Sequence, residues 1–155
     1  MKRIIVLDSG PLGLACGNPG KPEVSNITIW WSVAQANGAL VVIPEIADYE
    51  VRRGLILDQK SNPNHAGVKR LDKLRSQLAC APLTTEVMRK AAELWADARY
   101  HGRATAADKA LDGDLIVAAQ ALLFAGRGDI LTVATDNVKH LSRYLDAHEW
   151  DAITP

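Results

Sequence analysis

The chain has 155 residues, a length that suits one domain with its own core. It is 48% hydrophobic and 23% charged, as an ordinary soluble globular protein is. A formal net charge of zero argues against a strongly basic coat for nucleic acid and leaves room only for a local basic patch.

In chain order, residues 3–7 form a short β-branched run that predicts a buried strand ending at Asp8. The Met1-Lys2-Arg3 start and this apolar run are too short for a signal peptide. Gly10 to Lys21 is rich in Gly and Pro and reads as a loop, with one helical turn at Leu12 to Ala15. Ser25 or Asn26 can cap a helix to about Ala36, which Asn37-Gly38 stops. Ala39 to Ile43 is a second buried strand. Pro44 suits the first turn of a helix that runs to about Gln59.

Ser61 to Asn64 is a turn. Ala66 to Leu78 is helical, with Val68, Leu71, Leu74 and Leu78 on one stripe. Ala79 to Leu83 predicts a short strand. Thr84 or Thr85 caps a helix to about Tyr100, whose core face is Val87, Ala91, Leu94, Trp95 and Ala98. Residues 101–110 read as a loop. A helix from near Asp112 to Ala125 is followed by a strand at Ile130 to Ala134, a short helix near Val138 to Tyr144 and an edge strand at Trp150 to Ile153. Strands alternating with helices imply a single α/β domain over 1–155 with a parallel sheet and right-handed crossovers.

The longest near-apolar stretch, Leu115 to Ala125, is well short of the roughly 20 residues that a membrane span needs. Cys16 and Cys80 lack the spacing of a disulfide framework or a zinc site, and read as reduced thiols of a cytoplasmic protein.

The chemistry lies in the acids. In open parallel sheets, ligands bind outside the carboxyl ends of the strands. Asp8 ends the first strand, and Asp136 with Asn137 follows a later one. Glu50 shares a helical face with Ile46, Gly54 and Leu57, and a carboxylate on an apolar-leaning stripe needs a compensating cation, either Arg53 or a metal. Glu45 and Asp48 fall on other faces and read as solvated. Asp112 and Asp114 open a helix, where one can cap while the other points into a site; Asp114 is preferred there, and Asp108 reads as exposed.

Carboxylates brought together repel unless a cation joins them. Hard oxygen donors select Mg²⁺ or Mn²⁺, which can also bind a phosphate and activate water. His65, His101, His140 and His148 are scattered and read as surface residues. Arg52 and Arg53 are the first candidates to hold phosphates. Arg103 and Lys139 are weaker ones, while Lys69, Arg70, Lys73 and Arg75 read as a solvated face.

The segments Ile4-Ile-Val-Leu-Asp8-Ser, Pro44-Glu-Ile-Ala-Asp-Tyr-Glu50-Val-Arg-Arg-Gly54, Asp112-Gly-Asp114-Leu-Ile-Val-Ala-Ala-Gln-Ala-Leu and Thr135-Asp136-Asn137-Val-Lys-His-Leu together resemble the PIN-domain nucleases, including the VapC-type toxins of toxin–antitoxin pairs. The resemblance covers nearly the whole chain. It implies a three-layer α/β/α sandwich around a central parallel sheet, Mg²⁺- or Mn²⁺-dependent cleavage of RNA, a homodimer and, for a toxin, an antitoxin partner. By position Asp8, Glu50 and Asp114 match the family's three main acids. The family's Thr-x-Asp/Asn pattern puts Asn137 in fourth place, with Asp136 the acid next to it; both are carried as candidates.

Other folds and activities fit less well. An aspartyl phosphatase wants a second Asp two residues after the first, and position 10 is Gly. Neither a dinucleotide fingerprint nor a Gly-Lys-Ser/Thr phosphate loop occurs. The remaining alternative is a catalytically inactive PIN-like module that binds RNA or a protein.

Overall fold

The protein is described from a computed structural model, which covers residues 1–102 and 112–155. Five strands form one parallel sheet: β1 (Arg3–Leu7), β2 (Ala39–Pro44), β3 (Ala79–Ala81), β4 (Ile130–Ala134) and β5 (Ala147–His148), in the order β3-β2-β1-β4-β5. The helices are α1 (Ser9–Ala15), α2 (Pro22–Ala36), α3 (Glu45–Ser61), α4 (Gly67–Gln77), α5 (Thr85–Tyr100), α6 (Gly113–Phe124) and α7 (Val138–Leu141). No helix among the described residues is long and apolar enough to cross a membrane. Cys16 and Cys80 are both free thiols.

Alternate side chains of β1 point to opposite faces of the sheet. Ile5 and Leu7 join a core with Leu12 of α1, Ile27 and Trp31 of α2 and Leu71 of α4. Ile4 and Val6 join a second core with Val87 of α5, Val117 of α6 and Leu141 of α7. A strand covered on both faces must be apolar throughout, which is why 3–7 reads as a continuous run. This two-sided burial makes a three-layer α/β/α sandwich.

Several boundaries differ from expectation. Gly10 to Ala15 is a helix, not a loop with one turn, because Asp8 caps α1 through Ser9 N–H. Pro11 falls in its first turn, where a missing N–H costs no helical hydrogen bond. Similarly, α2 begins at Pro22 rather than at a Ser25 or Asn26 cap. β3 stops at Ala81, before Pro82, which has no N–H for the ladder. The last edge strand is Ala147–His148, and Trp150–Ala152 is a 3₁₀ turn. That turn sets the Trp150 ring edge-on to Trp30 at 5.7 Å, while the Trp30 indole N–H donates to Ile153 O at 2.7 Å.

The chain leaves β1 for β2 on one side and returns to β4 on the other. The carboxyl ends of β1 and β4 therefore meet at the point where strand order reverses, the place where such sheets leave a crevice for ligands.

Candidate active site

Asp8 follows the last residue of β1, and its N–H extends the sheet by donating to Ala134 O at 2.9 Å. Its side chain is only 6% exposed. Oδ1 accepts from Ser9 N–H at 2.8 Å and Oδ2 from the Thr135 hydroxyl at 2.7 Å. The same Thr135 oxygen accepts from Asn137 N–H at 2.9 Å. One buried hydroxyl thus locks the ends of β1 and β4 together.

Glu50 is half-buried on α3. The start of that helix is fixed by buried Gln120, whose Oε1 accepts from Ile46 N–H at 3.2 Å while its Nε2 donates to Ala81 O at 2.7 Å. An unpaired N–H of a helix's first turn is thereby satisfied from α6. The expected apolar stripe is not what buries Glu50, since Leu57 is 66% exposed and Gly54 lies in solvent. Its cover comes instead from across the site: a Cβ placed on Gly113 would stand 2.7 Å from Glu50 Oε1. Only glycine at the start of α6 admits the carboxylate so close.

The two acids of α6 divide the roles. Asp112 caps the helix, accepting from Leu115 N–H at 3.4 Å. Asp114 turns to the site, where its Oδ2 accepts from Asn137 Nδ2 at 2.6 Å and lies 3.5 Å from His140 Nδ1. Asn137 Nδ2 and His140 Nδ1 are 3.0 Å apart. His140 is thus a member of the cluster rather than an unengaged surface residue. Asp136 is exposed and sits beside Gly10, where a Cβ would fall 2.1 Å from its Oδ2.

The electrostatics tie these groups together. Burial holds the Asp8 carboxyl above the usual range, with a smaller push from Asp136; the bonds from Thr135 and Ser9 oppose it. Glu50 is raised by burial and then by Asp8 and Asp114, against Arg53. Asp114 is raised by burial and then by Asp8 and Asp112, against His140. Three carboxylates thus lie within one another's field with too little positive charge to offset them.

No three His, Cys, Asp or Glu side chains among the described residues are already grouped to hold an ion. The donor set is nonetheless carboxylate oxygen, the chemistry that suits Mg²⁺ or Mn²⁺. A divalent ion would supply the missing positive charge. By the chemistry of their donors, the residues fit such an ion.

The expected cations separate. Arg52 is taken up by Asp48, at 2.8 Å from Nε and 3.1 Å from Nη2, and by Asp72 at 2.8 Å. Asp48 is not solvated, as its place on the helix suggested, but 6% exposed, with Arg75 3.4 Å away as a second partner. Glu45 is also engaged, accepting from Leu83 N–H at 2.5 Å. Arg53 is exposed, lies over the Tyr49 ring at 5.3 Å and acts on Glu50. Lys139 is exposed on α7. Arg103, Asp108 and the expected 101–110 loop beyond Gly102 lie outside the described residues.

The sequence matches no protein-family model and no curated protein. Its fold matches solved structures. A chain of the VapBC2 complex from Rickettsia felis, bound to a DNA fragment from its promoter, superposes with a TM-score of 0.68 at 20% identity, covering 96% of this chain and 99% of that one. DNA-bound VapBC from Salmonella typhimurium gives 0.68 at 16% identity, over 97% and 99%. VapC20 from Mycobacterium tuberculosis, a sarcin–ricin-loop-cleaving toxin, gives 0.58 at 14% identity, over 97% and 99%. The fold shared with these chains is the PIN-like α/β/α sandwich.

Proposed function

We propose that this chain is a divalent-metal-dependent endoribonuclease that hydrolyses RNA phosphodiester bonds, and that it is the toxin of a toxin–antitoxin pair. What supports this reading is that the charge of Asp8, at the reversal point of the sheet, acts on both Glu50 and Asp114, and that of Asp114 on Glu50. These three would hold Mg²⁺ or Mn²⁺, with Asn137 and Asp136 at the margin. When bound, such an ion acidifies water and offsets charge on a phosphodiester oxygen.

The protein's own residues supply position and charge. Ser9 N–H and the Thr135 hydroxyl each hold one oxygen of Asp8, so its orientation is set before any ligand arrives. The Asn137 amide, beside His140, does the same for Asp114. Asp112, as helix cap, fixes the turn from which Asp114 projects. Arg53 and Lys139 are the exposed cations nearest in sequence to Glu50 and Asn137 and would meet the RNA backbone.

The substrate class draws support from the likeness in fold to VapC20, that protein being a sarcin–ricin-loop-cleaving toxin. The partner draws support from the VapBC complexes of the same fold. An antitoxin, a homodimeric assembly and a cytoplasmic setting complete the reading. The alternative is a PIN-like module that binds RNA or a protein without cleaving.

Incubation of a broad RNA panel with the protein and Mn²⁺ separates the two. The nuclease reading predicts cleavage that EDTA stops and that Asp114→Asn lacks. No cleavage of any RNA, or equal cleavage by the variant, would contradict it.

A further inference from the structure

A second cleft lies away from the acids. It encloses about 500 Å³ between the turn that joins α1 to α2 and the turn that joins α3 to α4. Its polar side chains are Asn18, whose Oδ1 accepts from Gly20 N–H at 2.9 Å, Lys21, Asp58, Asn64, His65 and Arg70. Nothing in the proposed chemistry uses it.

Most of what it presents is donor. Arg70 gives one guanidinium nitrogen to Cys16 O at 3.4 Å and keeps the rest of its fork. Lys21 is exposed at the rim. His65 Nδ1 accepts from Gly67 N–H at 3.2 Å, so the neutral ring carries its proton on Nε2 and donates there. Gly67 packs tightly enough to hold that ring, since a Cβ on it would stand 2.8 Å from His65 Cε1 and 2.6 Å from Leu55 Cδ2. The positive end of α4 opens at the same place, through Ala66. Two permanent cations face one carboxylate, Asp58.

The cleft is also in line with the acids. Asp8 and Cys16 lie at opposite ends of α1, and Glu50 and Asp58 lie eight residues apart on α3. At 1.5 Å per residue, either helix spans roughly 12 Å between the two places. Gly13 faces Val51 where the two helices meet, a Cβ there reaching only ordinary contact at 3.7 Å.

We infer that this cleft is a phosphate subsite that holds a backbone phosphate of single-stranded RNA a few nucleotides from the bond that is cut. Lys21 and Arg70 take the phosphate, His65 donates to it, and Asn64 offers both a donor and an acceptor to the attached nucleotide. The inference rests on the nuclease reading for its substrate, but its own test is binding.

The experiment measures Kd of a labelled single-stranded RNA oligonucleotide in EDTA across a salt series, for wild type, Lys21→Ala/Arg70→Ala and the exposed-site variant Lys21→Glu. Loss of two phosphate contacts predicts roughly 25-fold weaker binding at about 0.1 M salt and a log–log salt slope shallower by about 1.4. Lys21→Glu alone weakens binding in the same direction, which covers the case in which the double variant does not fold. Unchanged Kd and slope in a protein that still cleaves RNA would overturn the subsite and leave the nuclease reading standing. Wild type that neither binds nor cleaves RNA would overturn both. A parallel titration with inorganic phosphate distinguishes sources: variants that lose phosphate binding yet keep oligonucleotide affinity would assign the cleft to free phosphate and overturn the RNA assignment.

Discussion

Gly113 and Glu50 come within a methyl group of each other: a Cβ on Gly113 would lie 2.7 Å from Glu50 Oε1. The obstacle is the far end of a flexible side chain, so Gly113→Ala displaces the carboxylate rather than the fold. Alanine also suits the first turn of α6 better than glycine, by up to about 1 kcal/mol. The expected outcome is a melting temperature equal to or above wild type together with weakened Mn²⁺ affinity and cleavage. Calorimetry and a thermal melt on the same preparation check it. A variant with full activity would show that Glu50 need not sit where it does.

Thr135 supports Asp8 without being an acid. Thr135→Val keeps the shape but leaves Asp8 Oδ2 and Asn137 N–H without their shared partner. Metal affinity is expected to fall about 10- to 100-fold, as for other residues that orient a ligand. Stability is expected to fall by about 1–3 kcal/mol. Denaturant melts and Mn²⁺ titration read the two effects separately.

The fourth site position can be decided by comparing neighbours. Asn137 donates to Asp114, whereas Asp136 is exposed and reaches Asp8 only through its charge. Asn137→Ala is expected to lower the cleavage rate more than Asp136→Ala. The reverse order, measured on one RNA at fixed Mn²⁺, would give the place to Asp136.

Arg52 is expected to matter for folding rather than for RNA. Arg52→Ala leaves buried Asp48 with Arg75 alone and is expected to cost about 2 kcal/mol, a fall of roughly 4–8 °C in melting temperature at this size. RNA Kd, measured where the variant is folded, is expected to stay as in wild type.

Protonation gives a pH signature with a definite sign. Asp8, Glu50 and Asp114 are raised in the folded protein, so between the ordinary carboxylate range and those raised values the folded state binds more protons than the unfolded one. Metal-free stability therefore declines as pH rises through that window. Mn²⁺ affinity moves the other way, since protons compete with the ion for the same oxygens. Melts in EDTA and with Mn²⁺ over about pH 4 to 8 are expected to diverge with rising pH.

Much of the site can be read from the chain because the fold puts it at strand ends. Asp8 follows the apolar run Ile4 to Leu7, and Asp114 precedes the apolar run Leu115 to Ala119, so both stand out against their neighbours. His140 does not stand out: a lone histidine carries no pattern until Asn137, three residues before it, is known to face Asp114. Asp48 was legible in principle, because Arg52 follows at the helical i, i+4 spacing, but its burial depends on Arg75 from another helix. Gln120 looks like one polar residue in an apolar helix, and its work, tying the start of α3 to the end of β3, exists only in three dimensions. The Gly/Pro content of 10–21 hid α1, since Pro11 breaks a helix anywhere but in its first turn.

The claim on which the rest depends is that the acids just after β1, on α3 and at the start of α6 form one metal centre. Calorimetric titration of Mn²⁺ into wild type and Asp8→Asn tests it most directly. The account predicts binding by wild type and its loss in the variant, with the metal-free variant folded and melting no lower than wild type at neutral pH. Binding of Mn²⁺ that is unaffected by Asp8→Asn would contradict it.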